Sequence, residues 1–203
     1  MTHYFDPEPE AEHRYRHFTA EFGGEVFAFC TDSGVFSADG IDRGTALLIE
    51  TVLAFEPATA GEGERFLDLG CGFGAVAVVF SKLRPGFEIV ASDVNRRALE
   101  LTQCNLRLNN VTDALIVESD GFESLVGSFD LILQNPPIRC GKQTVYRLCK
   151  KSYSAPNPGG RMYIVNRKQQ GAASSVTELC QYFAEVEIIK KKSGYWIICC
   201  AKQ

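Results

Sequence analysis

The chain has 203 residues, of which 45% are hydrophobic and 23% are charged. This composition excludes a disordered or fibrous protein and allows one large domain with a buried core. Its apolar runs, such as Ala75 to Phe80, are far shorter than the roughly 18 residues that a membrane-spanning helix needs. The formal net charge of −4 argues, taken as a whole, against a nucleic-acid partner.

The first residues are polar and contain neither an apolar segment nor a signal-peptide cleavage site. We expect residues 1–24 to be loosely ordered, residues 25–203 to form a single domain, and the protein to be cytoplasmic. The eight cysteines include no Cys-x-x-Cys pair, which argues against disulfides and against a metal site. All three histidines lie within the first seventeen residues, so a histidine general base in the body of the fold is excluded.

In chain order, two short predicted strands come first, because apolar residues alternate in "EVFAFC" and "GVFS". The next segment, "DRGTALLIETVLAF", has the apolar spacing of a helix with Asp42 as its N-cap. The following pattern predicts strand, helix, strand, helix, strand and strand, in "RFLDLG", "GAVAVVFSKL", "FEIVASD", "NRRALELTQCNLRLN", "ALIVES" and "FDLILQ". A helix near "KQTVYRLCKKSY", a strand in "GRMYIVNR" and a helix in "SSVTELCQYF" come next.

Near-continuous apolar strands that alternate with amphipathic helices indicate a parallel sheet covered on both faces. The last two strands, "EVEIIKK" and "YWIICCA", are joined only by "KSG". This connection permits a hairpin and no crossover helix, so the last strand should run antiparallel to its neighbour. The predicted fold is therefore α/β, with a seven-stranded, mostly parallel sheet, an antiparallel last strand in a C-terminal hairpin and a short N-terminal β extension.

Acidic and glycine residues gather at the predicted ends of three strands. The first of these strands ends in "DLGCGFG", whose three glycines permit a tight turn and the close approach of a ligand to the backbone. Asp93 closes the next strand and is placed to accept hydrogen bonds from both ribose hydroxyls of a nucleoside. Asp120 follows the third strand, where it could accept from an adenine amino group. With Asp68, these acids lie where open α/β sheets bind ligands.

The glycines alone leave two cofactors open, because Gly70-x-Gly72-x-x-Ala75 also satisfies the pattern of NAD-binding proteins. Three other features resemble the class I S-adenosylmethionine-dependent methyltransferases. They are Asp68 two residues before the first glycine, Gly74 at the third glycine position, and the antiparallel last strand.

This resemblance implies a Rossmann-like fold and S-adenosyl-L-methionine as the cofactor, with S-adenosyl-L-homocysteine as its product. It also implies that Asp68 and the loop glycines face the amino-acid part of the cofactor, Asp93 its ribose and Asp120 its adenine. The cofactor-binding residues that it implies are Asp68, Gly70, Cys71, Gly72, Gly74, Asp93, Val94, Asp120, Gly121 and Asn135.

The strand "FDLILQ" runs into "NPPIRCGK", which places Asn135 and Pro136 at the same sheet edge. Two consecutive prolines stiffen the loop and lack N–H groups, so the loop presents mainly acceptors. An amino group conjugated to a ring is a poor nucleophile because its lone pair is delocalised. The Asn135 side-chain oxygen and the Pro136 carbonyl can each accept one of its N–H groups, which favours a more pyramidal nitrogen. The candidate catalytic residues are Asn135, Pro136, Pro137 and Ile138.

The acceptor molecule is indicated by a narrower resemblance. Ile138 stands where methyltransferases acting on DNA adenine or release-factor glutamine typically carry Tyr or Phe. The stretches "GVFSADGIDRGTALLIE", "NPPIRCGK" and "NRKQQGAASS" resemble, together and in order, single-domain relatives of the small-subunit ribosomal RNA guanine-N2 methyltransferases. The resemblance covers residues 25–201 and implies methyl transfer to the exocyclic N2 of a guanine in ribosomal RNA. Well-characterised members carry two tandem methyltransferase-like domains, whereas this chain has one.

The same resemblance places part of the N-terminal region near the cofactor and substrate cleft. The residues that it places there are Phe36, Ser37, Asp42, Gly44 and Thr45. Ribosomal RNA or the small ribosomal subunit is the implied partner, no membrane partner is expected, and the protein is expected to be a monomer or a weak homodimer.

Charge is distributed unevenly along the chain. Residues 1–64 carry a net charge of −10, residues 65–134 of −3 and residues 135–203 of +9. The basic last third begins at the Asn-Pro-Pro loop, so a local positive field coexists with an acidic protein. We expect Lys190 to Lys192 to be a solvated hairpin end. The residues expected to face RNA phosphates are Arg139, Lys142, Arg147, Lys150, Lys151, Arg167 and Lys168.

Two other functions stay open on the sequence. The first is a glutamine or small-molecule amine N-methyltransferase, against which Ile138 and the basic last third argue. The second is a non-catalytic module that binds S-adenosylmethionine or RNA as an assembly factor. The complete set of Asp68, Asp93, Asp120 and Asn135 favours an enzyme.

Overall fold

The computed structural model describes residues 12–136 and 151–202. The strands are β1 (Arg16–Phe22), β2 (Glu25–Thr31), β3 (Arg65–Leu69), β4 (Glu88–Asp93), β5 (Leu115–Glu118), β6 (Phe129–Gln134), β7 (Pro156–Arg167), β8 (Glu185–Lys192) and β9 (Tyr195–Ala201). The α-helices are α1 (Arg43–Phe55), α2 (Ala75–Leu83), α3 (Arg96–Leu108) and α4 (Ala172–Leu179), with a short 3₁₀ turn at Lys168–Gln170.

A seven-stranded sheet in the order β5-β4-β3-β6-β7-β9-β8 forms the centre of the molecule. The strands β3 to β7 pair in parallel, whereas β9 is antiparallel to both β7 and β8. The predicted sheet and its antiparallel last strand are therefore confirmed. The helix predicted near "KQTVYRLCKKSY" falls almost entirely outside the described residues.

The central strands are apolar on both sides because both sides of the sheet are covered. In β6, Leu131 and Leu133 pack in the cluster that contains the buried residues of α1, α2 and α3. Ile132 points the other way and packs in the cluster that contains Leu179 of α4. All three leucine and isoleucine side chains of β6 are 0–2% exposed. This two-sided burial explains the near-continuous apolar run that marked the strand in the sequence.

Two expectations for the N-terminal region are corrected. Residues 16–22, expected to be loosely ordered, form β1 and pair along their whole length with β2 in a separate two-stranded sheet. The segment "GVFS", expected to be a strand, is a series of turns. Gly34, Ser37 and Gly40 have φ angles of 82°, 61° and 133°, which an extended strand does not allow.

Asn105 of α3 and Asn109, which directly follows this helix, hold the β1–β2 hairpin against the main domain. The Asn105 amide accepts from the Cys30 N–H (2.7 Å) and donates to the Cys30 and Phe73 carbonyls (2.8 and 2.7 Å). One helical turn later, the Asn109 amide pairs in the same way with the N–H and C=O of Ala28. Helix side chains thus satisfy the free edge of β2 as a neighbouring strand would.

We expect Asn105→Ala to lower the free energy of unfolding by about 2–4 kcal/mol, because it leaves buried backbone groups of Cys30 and Phe73 unpaired. Asn109→Ala is the matched control. It also removes hydrogen bonds to β2, but at a site where water can replace them, so it should cost less than about 1 kcal/mol. Chemical denaturation of both variants checks the difference, and equal losses would contradict the role assigned to Asn105.

Candidate functional site

The turn after β3 is held in a fixed shape by the neighbouring strand. The Gly70 and Cys71 N–H groups both donate to the Ser92 carbonyl of β4, at 2.8 and 2.9 Å. Gly74 has a φ of 84°, and a Cβ atom there would lie 2.8 Å from the Thr102 side chain, so no other residue fits without a shift. At Gly70 and Gly72 a Cβ would meet nothing within 4 Å. These two glycines therefore leave open space beside the backbone.

Asp93 connects this glycine turn to the start of α3. Its Oδ2 accepts from the Gly72 N–H and its Oδ1 from the Asn95 N–H, both at 2.9 Å. Burial raises the pKa of the Asp93 carboxyl, and the hydrogen bonds from Asn95, Gly72 and Val94 oppose that rise. Asn95, which is fully buried, caps α3 and donates to the Gly34 carbonyl at 2.9 Å. The loop that carries Phe36 is thereby tied to the same strand end.

Asp68 is a buried carboxylate at the end of β3, with 3% of its surface exposed. Its Oδ2 accepts from the Ala77 N–H at 3.0 Å, which satisfies a donor in the first turn of α2 that the N-cap residue Gly74 cannot reach. The pKa of Asp68 is raised to about 7, chiefly by burial; the Ala77 hydrogen bond lowers it and the negative charge of Asp93 raises it. The site thus contains an acid that is costly to ionise unless a cation lies beside it.

The end of β6 meets the first turn of α1 through side chains. Asp42 caps α1 by accepting from the Gly44 and Thr45 N–H groups at 2.8 and 3.3 Å, and the Thr45 hydroxyl also donates to it. The Asn135 NH₂ group donates to Thr45 Oγ1 at 2.9 Å and to Asp42 Oδ2 at 3.3 Å. A carboxylate only accepts hydrogen bonds, so this pairing fixes which end of the Asn135 amide faces α1. The amide oxygen, Oδ1, is turned away from it.

These elements surround one cleft. Five parts of the chain line it, namely the turns before α1, the first turns of α1, the end of β3, the glycine turn with the start of α2, and the end of β6. Of the residues singled out from the sequence, the cleft brings together Phe36, Ser37, Asp42, Thr45, Asp68, Gly70, Cys71, Gly72 and Asn135.

Comparison with known proteins agrees with this geometry. Residues 26–199 match the family model described as "Methyltransferase small domain". The chain belongs to the methyltransferase small domain family. Its fold is the Rossmann-like fold of class I methyltransferases, as the sheet order and the antiparallel β9 indicate.

This chain is similar to two known proteins over most of its length. It is 36% identical to "Uncharacterized protein YbxB" of Bacillus subtilis (strain 168), over 97% of this chain and 96% of that protein. It is 34% identical to ribosomal RNA small subunit methyltransferase C of Escherichia coli O7:K1, over 73% of this chain and 42% of that enzyme.

One solved structure is also close. It is the "T. Thermophilus 16S rRNA N2 G1207 methyltransferase (RsmC) in complex with AdoMet and Guanosine", with a TM-score of 0.83 and 25% identity. The superposition covers 93% of this chain and 51% of that one. The chain therefore spans about half the length of each of the two methyltransferases that it matches.

Other sequence-predicted residues of the small domain lie beside the cleft or apart from it. Asp120 is exposed and follows β5, which is linked to β4 by the bond from the Ser119 N–H to the Asp93 carbonyl (2.9 Å). Val94 and Gly121 lie at these same two strand ends. Gly74 starts α2 behind the glycine turn.

The basic residues predicted to contact RNA divide into two groups. Arg167 and Lys168 lie at the C-terminal end of β7, on the side of the site. Lys151 precedes the start of β7 and pairs with Glu123 at 2.8 Å, so the structure does not bring it together with them. The predicted residues that fall outside the described part of the chain are Pro137, Ile138, Arg139, Lys142, Arg147 and Lys150.

Some residues that shape the site were missed from the sequence. Thr102 of α3 donates to the Gly72 carbonyl at 2.9 Å and lies 3.4 Å from the Cys71 sulfur, so it supports the glycine turn from behind. Nothing in the sequence distinguishes it from other residues of α3. Asn95 could have been found, because an asparagine directly before a helical pattern is an N-cap signal.

The described residues contain no group of three His, Cys, Asp or Glu side chains placed to hold a metal ion. Among the same residues, no helix is long and apolar enough to cross a membrane. Burial raises the pKa of the Cys71 thiol well above its ordinary value, so this thiol stays protonated beside the cleft.

The burial of Asp68 predicts a pH-dependent stability. The pKa of its carboxyl is about 7 in the folded protein against an ordinary value of 3.8. Between these values the folded state binds a proton that the unfolded state lacks, so stability falls as pH rises from 4 to 7. Asp68→Asn keeps an acceptor for the Ala77 N–H without a charge. It should raise the thermal midpoint of the cofactor-free protein at pH 8, with a gain that shrinks towards pH 4.

Thermal unfolding of the wild type and the variant at several pH values measures this effect. Asp113→Asn, at an exposed carboxylate that accepts from Thr112, is the control and should leave the midpoint unchanged. At pH 8, the thermal midpoint of Asp68→Asn could also be equal to that of the wild type or below it. This result would show that the buried charge of Asp68 does not destabilise the folded state.

Proposed function

We propose that this small domain is an S-adenosylmethionine-dependent N-methyltransferase that transfers a methyl group to the exocyclic N2 of a guanine in small-subunit ribosomal RNA. The observation that carries the proposal is the orientation of Asn135. Its NH₂ group is held by Thr45 and Asp42, so its Oδ1 is available beside the glycine turn as an acceptor. An acceptor suits a substrate group that carries N–H, as the N2 amino group of guanine does.

The cleft suits S-adenosylmethionine in its charge and its shape. Gly70 and Gly72 leave room for a ligand against the backbone, and the Asp68 carboxylate lies beside them. A cationic ligand group next to Asp68 would favour its ionised form and so recover part of the cost of burying it. Asp93 with Val94 would accept from the ribose, and Asp120 with Gly121 would contact the adenine. Bound S-adenosylmethionine supplies a methyl group on a positively charged sulfur.

Asn135 and Pro136 would act on the amino group of the substrate. The lone pair of a ring amino group is delocalised into the ring, and the nitrogen is reactive only when that pair is directed out of the ring plane. Asn135 Oδ1 and the Pro136 carbonyl would each accept one of its two N–H groups and so fix the direction of the pair. No proton has to be removed first, which agrees with the confinement of all histidines to the first seventeen residues. The methylated nitrogen would then lose one proton to water, and the electron pair of the broken methyl–sulfur bond would stay on the sulfur of the departing S-adenosyl-L-homocysteine.

The identity of the substrate rests on relatives and on charge. Two of the three proteins compared above, those from Escherichia coli and T. Thermophilus, are named as ribosomal RNA methyltransferases. The structure of the second contains guanosine. Phe36 and Ser37 line the cleft of this chain, and we assign them to contact with the substrate base. The net charge of +9 on residues 135–203 suits an RNA backbone.

Methyl transfer from labelled S-adenosylmethionine tests this function. The acceptors are small ribosomal subunits, naked ribosomal RNA and release factors, followed by nucleoside digestion and mass analysis. N2-methylguanosine in RNA is the expected product. Label in protein would favour a glutamine methyltransferase, and tight cofactor binding without any label would favour a non-catalytic module.

Variants of Asn135 test its role in the reaction. Asn135→Ala should lower kcat by roughly 10² or more with little change in cofactor affinity, because it removes an acceptor aimed at the reacting nitrogen. Asn135→Asp keeps two acceptor oxygens but cannot donate to Thr45 and places a second carboxylate beside Asp42. It should therefore be as inactive as the alanine variant. An active aspartate variant would mean that the orientation of the amide is unimportant.

Thr45 provides a second test through the group that it orients. Thr45→Val keeps the shape of the side chain and removes the hydroxyl that receives the Asn135 NH₂ group. We expect about a tenfold lower kcat, which corresponds to the loss of one orienting hydrogen bond. Thr45→Ser should restore activity. Calorimetric titration with S-adenosylmethionine should give the same affinity for all three proteins. A variant whose cleft is disrupted as a whole would bind the cofactor more weakly.

A further inference from the structure

The end of the β8–β9 hairpin lies at the same edge of the sheet as the candidate site. The strands β7 and β8 both run antiparallel to β9, so they point in the same direction. Their C-terminal ends, Arg167 and Lys192, are both paired with Tyr195 at the start of β9. The Lys168 N–H also donates to the Gly194 carbonyl at 2.8 Å. The turn that follows Lys190 to Lys192 is thus fixed beside the C-terminal end of β7.

A short series of contacts joins this edge to Asn135. Asn135 donates to Thr45 in the first turn of α1. The neighbouring Gly44 packs so closely on Tyr195 that a Cβ atom would lie 2.8 Å from the tyrosine ring. The Tyr195 hydroxyl accepts two hydrogen bonds from the Arg167 guanidinium, at 2.8 and 2.6 Å. Arg167 and Lys192 therefore flank a residue that packs against the first turn of α1.

Charge is separated along β8. The acidic residues Glu185 and Glu187 lie at its start, whereas Lys190, Lys191 and Lys192 occupy its end. All five side chains are exposed, so burial does not account for their order. The strand therefore presents its positive end at the edge of the sheet that contains the candidate site.

Within the part of the chain that the structure describes, no carboxylate forms an ion pair with Arg167, Lys168 or the three lysines of β8. Arg167 bonds to a neutral phenol, and Lys191 lies 4.3 Å from the centre of the Trp196 ring. Earlier in the same strand, Arg161 pairs with Glu56 at 2.6 Å. Five cations without an ion-pair partner among the described residues thus lie together at the site edge.

We propose that Lys190 and Lys192, together with Arg167 and Lys168, form a phosphate-binding surface for the RNA that flanks the target base. This proposal rests on the proposed function and assigns a substrate-docking role to the edge strand β8. It revises the expectation that Lys190 to Lys192 is only a solvated hairpin end. Contacts from Lys and Arg to phosphates give affinity and register without reading the sequence, which suits a surface next to a base-binding cleft.

Edge strands also carry lysines for another reason. Among the strands that the structure describes, β8 pairs with β9 alone, and charged side chains on such an edge prevent pairing with a second molecule. Protection of the edge requires only that charged side chains lie somewhere along β8, and Glu185 and Glu187 would provide it as well as the lysines. It does not explain why all three lysines lie at the end of β8 that is nearer to the site. The two roles predict different results when the lysines are neutralised.

The experiment compares two double variants with the same change in net charge. Lys190→Gln/Lys192→Gln removes two cations at the site edge. Lys82→Gln/Arg107→Gln removes two exposed cations in the last turns of α2 and α3, at the opposite edge of the sheet. Binding of a fluorescent transcript of small-subunit ribosomal RNA is measured by anisotropy over a range of salt concentrations. Calorimetry with S-adenosylmethionine confirms that both variants keep the cleft intact.

Loss of two phosphate contacts should weaken RNA binding about tenfold near 0.1 M salt and reduce the slope of log K against log salt by about 1.4–1.8. We expect this change for the site-edge variant alone. Equally weakened RNA binding in both variants would mean that RNA affinity depends on net charge and not on the position of the lysines. Unchanged binding together with self-association of the site-edge variant would assign the lysines to edge protection. Either result, or a wild type that does not bind the transcript, overturns the proposal.

The binding assay does not depend on methyl transfer. A lysine-dependent RNA affinity without N2-methylguanosine would keep the surface and reject the proposed function. Methylated RNA with no dependence on the two lysines would keep the function and reject the surface. In an active enzyme, the site-edge variant should raise KM for RNA and leave kcat at saturating RNA unchanged, since neither lysine belongs to the cleft.

Discussion

The pair of hydrogen bonds from Asn135 to Thr45 and Asp42 is the constraint on which the candidate site depends. It joins the end of a central strand to the first turn of α1 and determines which end of the amide faces the cleft. Asp42 has two functions here, because the carboxylate that caps α1 also accepts a hydrogen bond from the Asn135 NH₂ group. A helix start and a candidate catalytic group are therefore fixed by the same side chain.

A second constraint acts on the backbone of the glycine turn. The turn is held by the Ser92 carbonyl, by the Asp93 carboxylate and by Thr102, all of which lie outside it. A flexible glycine sequence thus has a fixed shape before any ligand arrives, which reduces the ordering cost of binding. Asp68 adds a buried acid whose charge is costly without a cationic partner. Stability and ligand binding place opposite demands on this residue, as is common at functional sites.

The sequence predicted the central sheet and most of the residues that meet at the cleft. The reason is geometric, since parallel strands bring all their C-terminal ends to one edge, and Asp68, Asp93 and Asn135 each lie at or directly beside such an end. The bond between Asp42 and Asn135 could not be predicted in this way, because a side-chain pairing between distant residues leaves no periodic pattern. The hairpin contacts of Asn105 were missed for the same reason. The turns around Ser37 were misjudged because alternation over four residues is too short to distinguish a strand.

The position of β9 between β7 and β8 has a consequence for the order of assembly. Both of its neighbours precede it in the chain, so β8 has no place in the sheet until β9 has inserted. Tyr195, which packs against the first turn of α1, is the first residue of that strand. A nascent chain can form the glycine turn and the parallel strands early, but the support behind Thr45 and Asn135 arrives with the last strand. The complete cleft would therefore form late during synthesis, well after its glycine-turn half.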